Sequence, residues 1–209
     1  PLRFNTTVVK IHGRERVEAV TVASVDPATR MPIPGTEETI PCDTLLLSVG
    51  LLPENELTRQ AGVKMDMITS GAVVDETRQT SIPGVYACGN VLHVHDLVDN
   101  VSHEAEVAGT AAARFALEGV VTTPAVKVVP EGGVRYVVPQ VLSTGAAGKI
   151  DLYFRVGNAY KPARLTVTCD GKELVNRKKQ VMTPGEMEKI TIDATGLTGD
   201  VHVRGEKEA

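Results

Sequence analysis

The chain has 209 residues, is 42% hydrophobic and 23% charged, and carries a net charge of −4. That length allows one or two domains with an adequate core, and the acidic balance leaves no footprint for nucleic acid. No apolar run approaches the roughly 20 residues that span a bilayer, and Pro1-Leu2-Arg3-Phe4-Asn5 lacks the basic-then-apolar layout of a signal peptide. Cys42, Cys88 and Cys169 are too few and too scattered for a disulfide framework, so the expected setting is the reducing cytoplasm. The first residue is not Met, which reads as a processed or excised piece.

The first segment alternates as β structure does. Residues 7–12 and 16–22 flank Gly13-Arg14, a hairpin signal. The Pro/Gly-rich stretch 26–35 is expected to be a surface loop. Residues 42–50 form an unalternated apolar run ended by Gly50, the pattern of a strand buried on both faces. A short helix is expected over 54–60, short buried strands at 72–75 and 85–88, and a helix over 102–117. Ala105, Ala108, Gly109, Ala112 and Ala113 give that helix a smooth face, and Gly119 stops it.

Residues 1–124 hold 9 Lys/Arg against 16 Asp/Glu, and residues 125–209 hold 13 against 10. The change falls at Val120-Val121-Thr122-Thr123-Pro124, so a domain boundary is expected near residue 122. Beyond it, residues 150–156 and 165–169 alternate with period two, and Asp170-Gly171 is a two-residue hairpin turn into 173–175. With 189–192 and 201–203 this makes at least five short strands, the spacing of a small β-sandwich of immunoglobulin-like type.

The most informative stretch is Thr80-Ser81-Ile82-Pro83-Gly84-Val85-Tyr86-Ala87-Cys88-Gly89-Asn90. It reads as a turn, a buried strand, a Gly turn and a polar side chain off the strand end, which is how an open α/β sheet presents ligand-binding groups. Together with the Ala-rich helix it resembles the second FAD-binding motif of the pyridine nucleotide-disulfide oxidoreductases. Residues 43–54 resemble the segment where those flavoproteins leave their NAD(P)H-binding domain. The run from Gly89 to Asp99 resembles a branch associated with glycerol-3-phosphate dehydrogenases, which also carries a short β-rich tail.

The resemblance implies an α/β flavoprotein fragment, an incomplete FAD/NAD(P)-binding fold, followed by the β-sandwich. Residues 1–122 would be the partial nucleotide-binding region, with 1–50 the end of the NAD(P)H domain and 70–120 the returning FAD-domain segment. Residues 123–209 would be the accessory domain. Gly89, Asn90 and Val91 would meet the ribityl and pyrophosphate part of FAD. Ser102, His103 and Glu104 would stand at a helix N-terminus beside the flavin, where free N–H groups favour negative charge. Asn90 replaces the usual Asp and keeps an acceptor oxygen. Catalytic residues are not assigned.

Several residues have plainer readings. Cys88 reads as a small buried hydrophobe, since no second Cys is near it. His93, His95, Asp96, Asp99 and His103 match no established ligand spacing and read as a polar loop, so no metal is expected. Arg177-Lys178-Lys179 reads as a solvated edge.

None of the 19 glycines falls in a GxGxxG pattern, and no redox Cys pair is present. The expectation is that these parts lie upstream, that the intact protein passes hydride from NAD(P)H to FAD and on to an unidentified electron acceptor, and that this piece alone is inactive with weak or no FAD binding. Two alternatives stand beside it. The β-rich part is a docking module for a partner dehydrogenase subunit, or a second chain supplies the missing nucleotide-binding half.

Overall fold

The computed structural model describes residues 2–208. Regular structure is mostly β, with one short and one long α-helix, and the chain divides into two compact units, Pro1–Gly50 and Leu51–Ala209.

In the first unit, β1 (Thr6–His12), β2 (Ala19–Ser24) and β3 (Glu38–Pro41) form an antiparallel sheet in the order β1-β2-β3. The hairpin is present but its loop is longer than the motif suggested, since β2 begins at Ala19. Gly13 sits at φ +104, and a Cβ there would stand 1.9 Å from the Arg16 carbonyl oxygen. A side chain at position 13 would therefore collide with the loop backbone. The buried strand expected at 42–50 does not form. No strand of this unit pairs with residues 45–50, and Leu46 and Val49 stand 89% and 87% exposed. An apolar run becomes a strand buried on both faces only where neighbouring layers cover it.

The second unit contains α1 (Glu56–Gln60), a 3₁₀ turn (Gly89–Val91), α2 (Val98–Glu118) and eight strands. The strands are β4 (Pro124–Gly132), β5 (Val134–Val138), β6 (Val141–Ser143), β7 (Lys149–Val156), β8 (Ala163–Cys169), β9 (Lys172–Lys179), β10 (Glu188–Asp193) and β11 (Val201–Lys207). They make a three-stranded sheet, β10-β7-β5, and a five-stranded sheet, β6-β4-β11-β8-β9, in which β4 and β11 run parallel. The Asp170-Gly171 turn joins β8 to β9 with both residues at positive φ, +49 and +73, as a two-residue hairpin turn requires. Leu152, Phe154, Leu165, Val167 and Val203 are fully buried in the core shared by these strands.

Residues 72–75 and 85–88 stay extended but carry only isolated bridges, Met65 to Ala72 and Gln79 to Tyr86. Scattered backbone bonds, such as Val73 N–H to Lys64 O at 2.9 Å and Ala87 N–H to Arg78 O at 3.0 Å, combine with side-chain bonds in place of a ladder. The Val74 N–H donates to Gln140 Oε1 at 3.0 Å, and the Gln79 N–H donates to Asp75 Oδ1 at 3.1 Å. The boundary expected near residue 122 falls inside this unit. Val63, Ala72, Val74 and Leu92 share a small core with Tyr136 and Val138 of β5. A register shift between Val134 and Tyr136 sets the two faces of β5 apart: Val137 fills the strand core while Tyr136 and Val138 fill the smaller one.

β7 has the same double duty. Ile150, Leu152, Phe154 and Val156 enter the strand core. The period-two alternation then turns Asp151, Tyr153 and Arg155 the other way. Asp151 meets His103 at 3.4 Å and Arg155 meets Asp96 at 2.5 Å. The Tyr153 ring lies edge-on to His93 and His95, with centroids 5.9 and 5.6 Å apart.

Gly71 and Gly109 offer a paired test of this packing. A Cβ on Gly71 would stand 1.8 Å from the Leu92 carbonyl oxygen, whereas one on Gly109 meets nothing within 4 Å. Gly71→Ala should lower unfolding stability by about 1–3 kcal/mol through overpacking, and Gly109→Ala should raise it by roughly 0.5–1 kcal/mol. Urea midpoints of the two variants check both signs.

Candidate cofactor wall and the buried carboxylate beneath it

The 79–91 segment is a compact turn laid on α2. The Thr80 N–H donates to the Val85 carbonyl at 2.8 Å, and Thr80 Oγ1 accepts from the Ile82 N–H at 3.2 Å. Gly84 has φ +77, and a Cβ on it would lie 2.4 Å from the Phe115 ring, so only glycine lets the turn rest on the helix. The Tyr86 hydroxyl donates to the Ala111 carbonyl at 3.3 Å. The chain then enters the 3₁₀ turn at Gly89, which has φ +70. The buried Asn55 ties that turn down, its Nδ2 donating to Val91 O at 2.7 Å and Ser70 O at 3.0 Å.

Beneath the turn lies Glu104, 0% exposed. Its Oε1 accepts from Arg78 Nε at 3.1 Å and His93 Nε2 at 3.0 Å, and its Oε2 accepts from the Gly89 N–H at 2.9 Å and His95 Nε2 at 3.0 Å. An ionised carboxylate only accepts, so both imidazoles present Nε2–H to it. Burial alone would raise the Glu104 pKa, but the His93 and His95 hydrogen bonds and the Arg78 charge hold it far below the usual value of 4.5. Burial lowers the His93 pKa below 6.5, against the pull of Glu104. Burial also raises the Cys88 thiol, with Glu104 adding to the effect, which keeps it protonated and unreactive.

The ligand atoms of His93, His95 and Glu104 lie within 4.8 Å of one another. Arg78 already balances the carboxylate there, and a divalent ion would add two positive charges beside a buried guanidinium. The cluster is a hydrogen-bonded hub. Asp96, Asp99 and His103 do not join it. Asp96 pairs with Arg155, Asp99 lies in the first turn of α2, and His103 pairs with Asp151.

The six residues expected to meet the flavin part company here. α2 begins at Val98, so Ser102, His103 and Glu104 lie a full turn inside the helix and not at its N-terminus. The extended Leu97, at φ −122 and ψ 132, starts the helix early. Glu104 turns inward, and the Gly89 N–H is committed to it. Asn90, Val91 and Ser102 are exposed, as are Val98, Ala105 and Gly109 on the same side of α2 as Ser102. Asn90 Oδ1 accepts from the His95 N–H at 3.1 Å, which leaves its amide N–H groups available. His103, on another flank, lines a cleft of about 520 Å³ with Tyr86, Val107 and Arg114 and an adjoining one of about 500 Å³ with Arg78 and Asp151. The hub escaped the sequence reading because its members come from positions 78, 89, 93, 95 and 104, which only the fold brings together.

Two outcomes follow from the hub. Glu104→Gln keeps the shape but strands the Arg78 charge and turns an amide donor towards other donors, a loss of about 3–5 kcal/mol, read from urea midpoints. Acid should also destabilise the fold. The unfolded chain protonates His93 near 6.5 while the folded chain resists, so that contribution is whole above about pH 6.5 and falls below it. Glu104 adds stability that is whole above 4.5 and is lost as pH drops towards its lower folded value. Stability profiles from about pH 8 to 2 should therefore be flat, then decline in two stages, and His93→Asn should remove the upper one. Stability that rises on acidification contradicts this.

The pattern of the family described as pyridine nucleotide-disulphide oxidoreductase matches residues 1–113. The mitochondrial dihydrolipoyl dehydrogenase of Caenorhabditis elegans is 30% identical over 150 residues, covering 70% of this chain and 28% of that protein. The dihydrolipoyl dehydrogenase of Trypanosoma brucei brucei is 31% identical over 174 residues, covering 81% and 33%. The CoA-dependent NAD(P)H sulfur oxidoreductase of Pyrococcus abyssi is 31% identical over 98 residues, covering 46% and 19%. The chain thus spans a third or less of the length of these relatives. With more than half its residues under the family pattern, the chain belongs to the pyridine nucleotide-disulphide oxidoreductase family.

Proposed function

We propose that this chain forms one wall of the FAD site of an NAD(P)H-dependent oxidoreductase, built from Asn90, Val91 and the exposed side of α2 at Ser102. The observation that carries this reading is the left-handed Gly89 turn, held from below by Glu104, which leaves Asn90 and Val91 facing outward beside an uncovered small-residue helix face. FAD, when bound, supplies the acceptor for hydride from the nicotinamide and passes electrons on to an acceptor of unspecified class.

Each residue then has a defined task. The Asn90 amide donates towards the ribityl hydroxyls. The Val91 side chain, 41% exposed, excludes water from that edge. Ser102, Ala105 and Gly109 let a flat ring system approach the helix without side-chain obstruction. The first turn of α2 has no side-chain cap, so its free N–H groups favour negative charge on a nearby reduced ring. His103 lies off this wall, beside Asp151. Glu104 and Gly89 act through the turn they hold, as positioning residues.

The two-sheet β part is read as an immunoglobulin-like accessory domain that braces the wall through Asp151, Tyr153 and Arg155. Among the described residues of 125–209 the exposed large hydrophobics come down to Val181, which favours a brace over a docking surface. The narrower tie to the branch associated with glycerol-3-phosphate dehydrogenases rests on residues 89–99.

Flavin fluorescence tests the wall. The chain should quench FAD only weakly, with a Kd above about 1 μM, because its residues reach the ribityl and ring end alone. Ser102→Trp, which fills the wall, should abolish the quenching. FAD binding with a Kd below about 1 μM, or quenching retained in Ser102→Trp, would overturn the proposal.

A further inference from the structure

A separate cavity of about 280 Å³ opens between residues 51–53, 68–70 and 93–94 and the strands β5 and β7. Its charged lining residues are both guanidinium groups, Arg135 and Arg155, and no carboxylate among the described residues lines it. Arg155 is partly committed: Nη2 donates to Asp96 at 2.5 Å and to Val94 O at 3.1 Å, and Nη1 donates to Pro184 O at 3.3 Å. Arg135 is exposed and makes no side-chain hydrogen bond or ion pair among the described residues. Asp96 cancels one positive charge and the other stands uncompensated, an arrangement suited to an oxyanion.

The inner wall adds a second demand. His93 lines the cavity and is 1% exposed. Its Nε2–H is committed to Glu104, and its Nδ1 has no hydrogen-bond partner among the described residues. That tautomer leaves Nδ1 as an acceptor. A buried acceptor without a donor costs free energy, and a ligand hydroxyl would relieve it. Ser70, held at φ +59 on the rim, contributes a further hydroxyl.

We propose that this cavity binds a small hydroxylated oxyanion, its charged end on Arg135 and Arg155 and its hydroxyl donating to His93 Nδ1. The site shares none of Asn90, Val91 and Ser102 with the proposed cofactor wall, and it stands or falls separately from it.

Calorimetric titration of the chain at fixed ionic strength tests the site with lactate, propionate and inorganic phosphate. Lactate should bind saturably. Propionate, which keeps the carboxylate and lacks the hydroxyl, should bind several-fold more weakly. Arg135→Ala should weaken lactate by at least about tenfold, and Arg135→Lys should fall between it and the parent. Arg135 is exposed, so neither variant threatens the fold. Phosphate binding more tightly than lactate assigns the charged end to a phosphoryl group, and the reverse order assigns it to a carboxylate. Equal binding of lactate and propionate, unchanged binding in Arg135→Ala, or no saturable binding of lactate and phosphate would overturn the proposal.

Discussion

A single buried carboxylate holds the centre of the larger unit together. Glu104 is wholly removed from water and is surrounded by four donors, from Arg78, Gly89, His93 and His95. An isolated ionised carboxylate in that position would be very costly. With a guanidinium beside it and each oxygen accepting two hydrogen bonds, the charge is compensated, and each donor is fixed in turn. The left-handed Gly89 turn and the early turns of α2 become one rigid piece because both are tied to the same group.

β7 supplies the other half of the constraint. Its alternation sends Leu152 and Phe154 into the strand core and Tyr153 against the two imidazoles of the hub. Asp151 and Arg155, the outward neighbours on either side, pair with His103 and Asp96. A strand whose two faces serve two cores cannot shift register by one residue without reversing both. The β-rich part therefore fixes the height and direction of the segment that carries Asn90 and Ser102.

Much of this was legible in the sequence where the cause is local. Period-two alternation located β7 and β8, the short runs 189–192 and 201–203 located β10 and β11, and Asp170-Gly171 located the β8–β9 turn. The Ala-rich repeat and Gly119 located α2, although Leu97 starts it earlier than expected. What the sequence concealed depends on distant partners. The run at 45–50 has strand composition but no covering layer in its unit. β4, β5 and β6 were missed because Pro130 and Pro139, with the run of glycines and prolines around them, mask their alternation. Glu104 looked like a residue at a helix start facing a ligand. Its inward turn is decided by Arg78, 26 positions away, and no spacing rule carries that information.

Native-state hydrogen exchange at Gly89 addresses the central claim most directly, since its N–H donates to Glu104 Oε2 at 2.9 Å and to no backbone carbonyl. If the carboxylate locks the turn into the fold, this amide should exchange with the same opening free energy as the amides of β7, through unfolding of the whole unit. Exchange at Gly89 through a low-energy local opening, with β7 still protected, would contradict the claim.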